Sequence, residues 1–320
     1  MSKLQVFAYA NGRYMELDGR VKGATVGGDT AKSYRTANVN IVNAVTLRKS
    51  VLQFENGKEL RILYDGAEVF RGIVMQHTIN TDADTTLTAH DFNFYLTKNA
   101  DSVNYKNKRA DEILRDLCSK FNIPVGNLTN TQYVLKKFIK SGTVYELVIA
   151  ALKETQLQTG KSYRLRSKGG LVELTDTEQV EAVATLLNGQ HITSAEYSES
   201  IEDAQTQVKL TGGDEKKPIT AIVTGPTAGQ YGVLQHYEHI SDVKKASELR
   251  AKAKAMADEM SRPKTSVKVD ALGNTDVMSG TAVGVIESMT RLSGAYTVES
   301  DSHEFSADGS YTMSLTLTKL

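Results

Sequence analysis

The sequence predicts a mainly β protein with an α+β insert: antiparallel, barrel-like β regions at residues 1–100 and 191–320 flank a small α/β segment at 101–190. Three observations carry this. Near the C-terminus, Tyr311, Met313, Leu315 and Leu317 alternate with Thr312, Ser314, Thr316 and Thr318, the period-two pattern of a strand with one buried face. The first hundred residues hold short apolar runs cut by Asn11-Gly12 and Asp65-Gly66, pairs that readily adopt the two positive φ angles of a tight hairpin. In between, Ala110, Ile113, Leu114, Leu117, Cys118 and Phe121 recur at helical spacing, the apolar stripe of an amphipathic helix.

Taken in order, Leu4–Tyr9 reads as a strand leading into the Asn11-Gly12 turn. A Gly/Thr-rich stretch around Gly27-Gly28 reads as a loop, and Val39–Asn43 as the next strand. Leu60–Tyr64 and Glu68–Met75 flank Asp65-Gly66, and Asp82-Ala-Asp84 turns the chain into Thr86–Ala89. These form a small antiparallel barrel or sandwich. The helix at 110–121 stops at Asn122 and Pro124, because proline cannot continue it and restricts the residue before it. Thr143-Val-Tyr-Glu146 has the form of a capping box and opens a second helix with Val144, Leu147, Val148, Ala151 and Leu152 inward. Strands at Ser162–Arg166 and Gly170–Leu174 follow, joined at Lys168-Gly169. The last region returns to strands at Gln207–Leu210, Ile219–Val223 and Ser266–Ala271, with one long helix at 242–260 carrying Val243, Ala246, Leu249, Ala253, Met256 and Met260. Arg262-Pro263 ends it.

The two β regions echo one another. Gly72-Ile-Val-Met75, Asp82-Ala-Asp84 and Thr86–Ala89 resemble Tyr296-Thr-Val-Glu299, Ala307-Asp308-Gly309 and the strand from Tyr311. Both are a strand, a short acidic turn and an alternating return strand. Two related domains would produce this, and from these residues alone so would a chance likeness of two hairpins.

Composition narrows the function. A chain of 320 residues with 40% hydrophobic and 24% charged residues is long enough for two or three packed domains. Lys plus Arg and Asp plus Glu both number 38, so the basic footprint of a protein that grips nucleic acid by its phosphates is missing. With one cysteine, Cys118, there is no internal disulfide, and its place on the helix stripe makes it a packing residue. The start lacks the apolar core of a secretory signal, and no run approaches the 18 apolar residues that argue for a membrane-spanning helix. Absent Trp and 7% aromatic content disfavour a carbohydrate-stacking surface.

Candidate chemistry is sparse. His236 and His239 stand three apart, near metal-ligand spacing, but no third ligand is offered nearby, and an exposed polar turn before the helix explains them. Gly212-Gly-Asp-Glu215 matches the core signature of cyclic-dinucleotide synthases, yet it follows a strand and runs into Lys216-Lys217-Pro218, as an inter-strand loop does. Neither a phosphate-cradling Gly-x-x-x-x-Gly-Lys-Ser/Thr loop nor a Gly-x-Ser-x-Gly elbow occurs. The carboxylates fall in turns and on solvent faces of helices, unlike the positioned pair of a glycoside hydrolase. The expectation is therefore no catalytic, cofactor-binding or metal residues, and no cofactor. Interface residues cannot be read from the pattern.

Residues Asp101–Gly126, with their helix stripe and Asn122-Ile-Pro124 stop, resemble a block of the XkdQ/YqbQ-like proteins of the Bacillus prophage PBSX and related contractile tails. Further matches fall in order. Asp65-Gly66 through Phe70-Arg-Gly-Ile73 is similar to a family strand pair, and Thr88-Ala-His-Asp91 through Tyr95-Leu96 to a motif that usually has Tyr where this chain has His90. Ser200-Ile-Glu-Asp203 and Ala271-Leu-Gly273 also match, as does Tyr231-Gly-Val-Leu-Gln235, with Tyr231 in place of the usual Trp. The resemblance covers roughly residues 45 to 320.

It implies a baseplate hub related to late control protein D and T-even hub proteins: a homotrimer with two tail-tube domains per chain, adapting a threefold spike to a sixfold tube. The partners it implies are the tail tube, spike, tape measure and other baseplate proteins, with no specific nucleic-acid recognition and no stable membrane insertion. Assembly in the host bacterial cytoplasm and residence in the baseplate of a virion or tail-like particle follow. No catalysis is needed. The alternatives are a tail-associated cell-wall hydrolase and a cell-wall-binding adhesin of the same particle.

Overall fold

The computed structural model describes residues 4–17, 19–44, 51–177, 182–213 and 218–320. The first region contains β1 (Leu4–Ala10), β2 (Arg13–Glu16), β3 (Val21–Asp29), β4 (Thr36–Val42), β5 (Glu59–Tyr64), β6 (Ala67–Ile79) and β7 (Asp84–His90). Both dipeptide turns behave as their composition requires. Asn11 and Gly12 take φ of 50° and 78°, Asp65 and Gly66 take 50° and 81°, and each pair closes a tight antiparallel hairpin. Alternation along β1 buries Leu4, Val6, Ala8 and Ala10 against Ile41, Leu60, Ile62, Val74 and Leu87. Burying each large apolar side chain contributes about 1.5–3 kcal/mol, which is what holds these strands as a layer.

Gly27 and Gly28 lie inside β3, not in a loop. They make room for a neighbouring backbone: a Cβ on Gly27 would stand 2.8 Å from the carbonyl oxygen of Asp301. Read from sequence, glycine marks a breaker; here it marks a close approach.

The middle region holds α1 (Phe94–Lys98), β8 (Ala100–Arg109), α2 (Ala110–Lys120), β9 (Val125–Leu128), β10 (Val134–Thr143), α3 (Val144–Thr159), β11 (Tyr163–Lys168) and β12 (Leu171–Asp176). The stripe on α2 packs Ile113, Leu114, Leu117 and Cys118 into a core shared with Leu147, Val148, Ala151 and Leu152 of α3. The capping box is formed: the Glu146 amide donates to Thr143 Oγ1 at 3.2 Å, and the Thr143 amide to Glu146 Oε2 at 2.8 Å. Left-handed Gly160 ends α3. The turn between β11 and β12 is Gly169-Gly170, one residue later than the sequence indicated. The β8–β10 pair was not legible, because most positions of both strands are exposed or half-exposed and show no alternation.

The last region contains β13 (Ala182–Leu187), β14 (Ile192–Ser200), β15 (Gln207–Gly212), β16 (Ile219–Thr224), α4 (Ala228–Tyr231), β17 (Gln235–Ile240), α5 (Ala246–Met260), β18 (Lys264–Leu272), β19 (Ala282–Glu287), β20 (Leu292–Ser306) and β21 (Tyr311–Lys319). By contact the chain forms two compact units, Met1–Ala195 with Lys268–Leu320, and Glu196–Val267. The second was not set apart in the sequence reading. It is a three-stranded sheet in the order β16-β15-β17, with Leu249, Ala253 and Ala257 of α5 packed on Val208, Leu210 and Ala221. The helix begins at Ala246, later than Asp242, because Val243 reaches that core from a turn closed by its amide to the Ile240 carbonyl.

A 13-stranded sheet joins strands from both ends of the chain. Its connectivity repeats. The spatial order β3-β4-β7-β6-β5-β1 in the first region recurs as β14-β18-β21-β20-β19-β13 in the last. One orientation differs: β1 runs antiparallel to β5, whereas β13 runs parallel to β19. The residues expected inward from the hairpin echo, Val74, Leu87, Val298, Met313 and Leu315, are all buried.

Candidate functional site

The two strand repeats join at a seam between β3 and β20. The strands run antiparallel, with pairs from Ser300↔Asp29 to Ser306↔Gly23. Backbone hydrogen bonds need the strands at normal ladder spacing, and β3 allows this by presenting Gly23, Gly27 and Gly28 to β20.

One polar cluster locks the seam. Asp301, on β20, accepts from Arg35 Nη1 at 2.8 Å and Nη2 at 2.5 Å, and from the Ser279 amide at 2.6 Å. His303 Nε2 stands 3.2 Å from the same carboxylate, and His303 Nδ1 lies 2.7 Å from the Tyr311 hydroxyl. Arg35 follows β3, so its bidentate pair with Asp301 ties the first region to the last. Burial pushes the Asp301 carboxyl up, but hydrogen bonds from His303 and Arg35 and the Arg35 charge outweigh it, holding the group well below the usual carboxylate range.

Asp91 sits on the other side of Arg35. It accepts from the Arg35 amide at 3.1 Å and the Asn93 amide at 3.0 Å. Burial dominates, so its carboxyl is pushed up to about 7. The two acids thus titrate in opposite directions, because the Arg35 guanidinium is turned to Asp301 and only the Arg35 backbone to Asp91.

A cleft of about 680 Å³ opens over this cluster, lined by Arg35, Asp91, His303 and Tyr311 together with Glu68, Arg71, Arg166 and Lys168. Glu68 is held by Arg71 and Arg61. The Tyr–His–Asp sequence has the residue types of a proton relay. Its electrostatics are those of a clamp: burial, and then the Asp301 charge, push the Tyr311 hydroxyl up, away from a reactive anion, and the carboxylate is already engaged by Arg35.

The residues singled out from sequence do not converge. His236 and His239 lie on β17, which pairs parallel with β15, so the expected polar turn is a strand. Three residues apart on a strand, they project to opposite faces and cannot share one ion. His239 Nδ1 instead meets Thr211 Oγ1 at 2.9 Å. Among the described residues, no group of three or more His, Cys, Asp or Glu is placed to hold a metal. Gly212 ends β15 and Gly213 follows it with a φ of 79°; Asp214 and Glu215 of that signature, and Lys216-Lys217 after it, lie outside the described residues. Cys118 is fully buried, and burial pushes its thiol up to about 12. The seam cluster escaped sequence reading because its members are far apart: Arg35 and Asp301 are separated by 266 positions.

Comparison with known proteins gives a consistent picture. The model of the YqbQ-like family matches residues 24–318. Protein YqbQ of Bacillus subtilis strain 168 is 34% identical over 260 residues, covering 80% of this chain and 79% of its own. The phage-like element PBSX protein XkdQ of the same organism is 32% identical over 253 residues, covering 78% of each. Among solved structures, the 43 kDa tail protein of prophage MuSo2 from Shewanella oneidensis shares the fold, with a TM-score of 0.71 over 98% of both chains at 14% identity.

Proposed function

We propose that this chain, which belongs to the YqbQ-like family, is a structural hub in the baseplate of a contractile phage tail or tail-like particle. In this reading residues 1–100 and 191–320, the latter together with β13 (Ala182–Leu187) that pairs with β19, are two tube-type β domains flanking the 101–190 insert. Three chains supply six such domains, a ring that matches a hexameric tube on one side and a trimeric spike on the other. The chain works without catalysis, assembles in the host cytoplasm, and contacts the tube, spike, tape measure and neighbouring baseplate proteins.

The observation that carries the reading is the repeated strand order, with the two copies fused edge to edge through β3 and β20 into one sheet. A chain built from two like units joined head to tail is half-way to a ring, because a heterologous contact that repeats and closes generates cyclic symmetry. A phage-like-element relative and a prophage tail protein of the same fold support the setting.

Imaging of purified particles, or of the chain co-expressed with its tube protein, tests this. The expected result is a threefold ring of this protein at the end of a sixfold tube. Its absence from the particles, or a twofold assembly at the periphery, would overturn the hub role. Peripheral placement would favour an adhesin, and clearing of peptidoglycan that is lost on changing one carboxylate would favour a hydrolase.

A further inference from the structure

A second cavity, of about 280 Å³, adjoins the cleft over the seam and shares Arg35, Asp91 and Arg166 with it. It is walled by β11, by the residues just before α1, and by the loop between β3 and β4. Thr30, Lys32 and Arg166 line it and are exposed, so it reaches solvent.

Three polar side chains in its wall lack partners. Asn93 is 1% exposed, yet its Oδ1 accepts no hydrogen bond. Asparagine just before a helix ordinarily accepts from an amide of the first turn; Asn93 stands there and makes no such bond. Ser33 Oγ is likewise buried without a partner. Arg164, half-buried on β11, has no hydrogen bond or ion pair among the described residues. Buried polar groups left unpaired are costly and uncommon, and here three share one cavity.

Charge is unmatched as well. The Arg35 guanidinium is taken by Asp301, and that of Arg166 by Glu173 at 3.0 Å. Asp29 and Lys32, the other two charged residues of the wall, oppose one another in sign. Asp91 is acted on by the Arg35 charge, and Arg164 by that of Arg166, so Asp91 does not neutralise Arg164. Burial first, and then the like charge of Arg166, push the Arg164 guanidinium down from its ordinary value. Its place is shaped for it: Gly280, between the lining residues Ser279 and Thr281, has a φ of 82°, and a Cβ there would overlap the guanidinium.

We propose that this cavity binds a carboxylate that also carries a hydrogen-bond donor, the carboxylate pairing with Arg164 and the donor reaching Asn93, with the Ser33 hydroxyl alongside. One unpaired guanidinium calls for one negative charge, and a carboxylate accepts two of its donors in one plane. A phosphate dianion would leave a charge unpaired beside Asp91. An amide oxygen that nothing donates to selects a hydroxy acid, or an acidic residue with its backbone N–H, over an acid without a donor. The site does not depend on the hub role.

Titration calorimetry and thermal melting of the full chain, in phosphate-free buffer against chloride at equal ionic strength, test the site. The probes are glycolate, propionate, inorganic phosphate and N-acetyl-glutamate N-methylamide. Glycolate is expected to bind and to raise Tm, and propionate to bind about tenfold more weakly or worse. Arg164→Met should abolish glycolate binding, while the unliganded variant melts at or above the parent because an unpaired charge is gone; an arginine with a purely structural role would lower the melt. Asn93→Ala should bind glycolate no better than propionate. Tighter binding of the capped glutamate than of glycolate assigns the carboxylate to another protein chain, and weaker binding assigns it to a free acid; both keep the site. Failure of glycolate and the capped glutamate to bind, tighter binding of phosphate, or glycolate binding unchanged in Arg164→Met overturns it. If Arg164→Met does not fold, Asn93→Ala decides: a retained preference for glycolate overturns the site.

Discussion

Arg35→Met is the most direct test of the clamp. The substitution keeps most of the stem and deletes the guanidinium that holds Asp301 by two hydrogen bonds. The Asp301 side chain is 0% exposed and that of Arg35 18%, so the carboxylate stays buried when its partner is lost. Removing one partner of a buried pair costs about 3–5 kcal/mol, because the remaining charge stays buried. Lys22–Asp84, which also links β3 to another strand, has side chains 49% and 37% exposed and is worth about 0–1 kcal/mol. Urea denaturation at neutral pH should therefore separate Arg35→Met from Lys22→Met by several-fold in lost stability. Amide exchange should accelerate in β3 and β20 for the first variant alone. The pH dependence has a fixed sign. The folded Asp301 carboxyl lies below its unfolded value of about 3.9, so its contribution is complete above that pH and lost as pH falls through the folded value. Arg35→Met should flatten that acid limb. A variant within about 1 kcal/mol of the parent, with the acid limb intact, would refute the clamp, since it would mean the carboxylate is solvated or satisfied without Arg35.

Three further outcomes follow from particular contacts. Leu114→Asp places a carboxylate in the fully buried α2–α3 core, at a cost of several kcal/mol, and should abolish the near-ultraviolet signature and soluble folding of the middle region; a parent-like melt would mean α2 faces the other way. Gly27→Val sets a Cβ 2.8 Å from the Asp301 carbonyl oxygen and should cost about 1–3 kcal/mol as overpacking does, read as faster amide exchange along β20; unchanged exchange would mean the seam is looser than its register. Asp91, whose folded carboxyl is raised to about 7, keeps its proton to higher pH than in the unfolded chain, so the native state loses stability as pH rises from about 4 to 7. Asp91→Asn should flatten that slope in denaturation at pH 5 and pH 7.5, and an unaltered slope would assign it to another group.

Much of the fold was legible because local chemistry and tertiary structure agree at those places. The Asn11-Gly12 and Asp65-Gly66 turns, the α2 stripe and the Thr143–Glu146 box each encode their structure within a few residues. The failures share a cause. Strands β8, β14 and β17 are mostly exposed or half-exposed along their length, so no alternation marks them. β3 looked like a loop because its glycines answer to a strand from the far end of the chain. The seam cluster gave still less signal. Asp301 and His303 share one face of β20 and resemble solvent-facing positions until Arg35 and Tyr311 arrive to cover them. Tyr311 was visible, but as one more apolar residue in an alternating strand.

The chemistry of the seam explains why it is polar. An apolar strip between the repeats would give comparable or greater stability, since a buried ion pair seldom exceeds well-packed hydrocarbon of the same volume. Apolar contact tolerates slippage, and a slip of one residue turns every side chain of a strand to the wrong face. Here a slip would set Val26 where Gly27 now admits the Asp301 carbonyl, and would part Asp301 from Arg35. Both penalties are local and large: one is steric overlap with backbone, the other an uncompensated buried carboxylate. Glycine and carboxylate together permit one register. In the proposed ring, where the two halves would have to stand in a fixed phase, register is the property the joint has to secure, and a bidentate pair secures it where leucine would not.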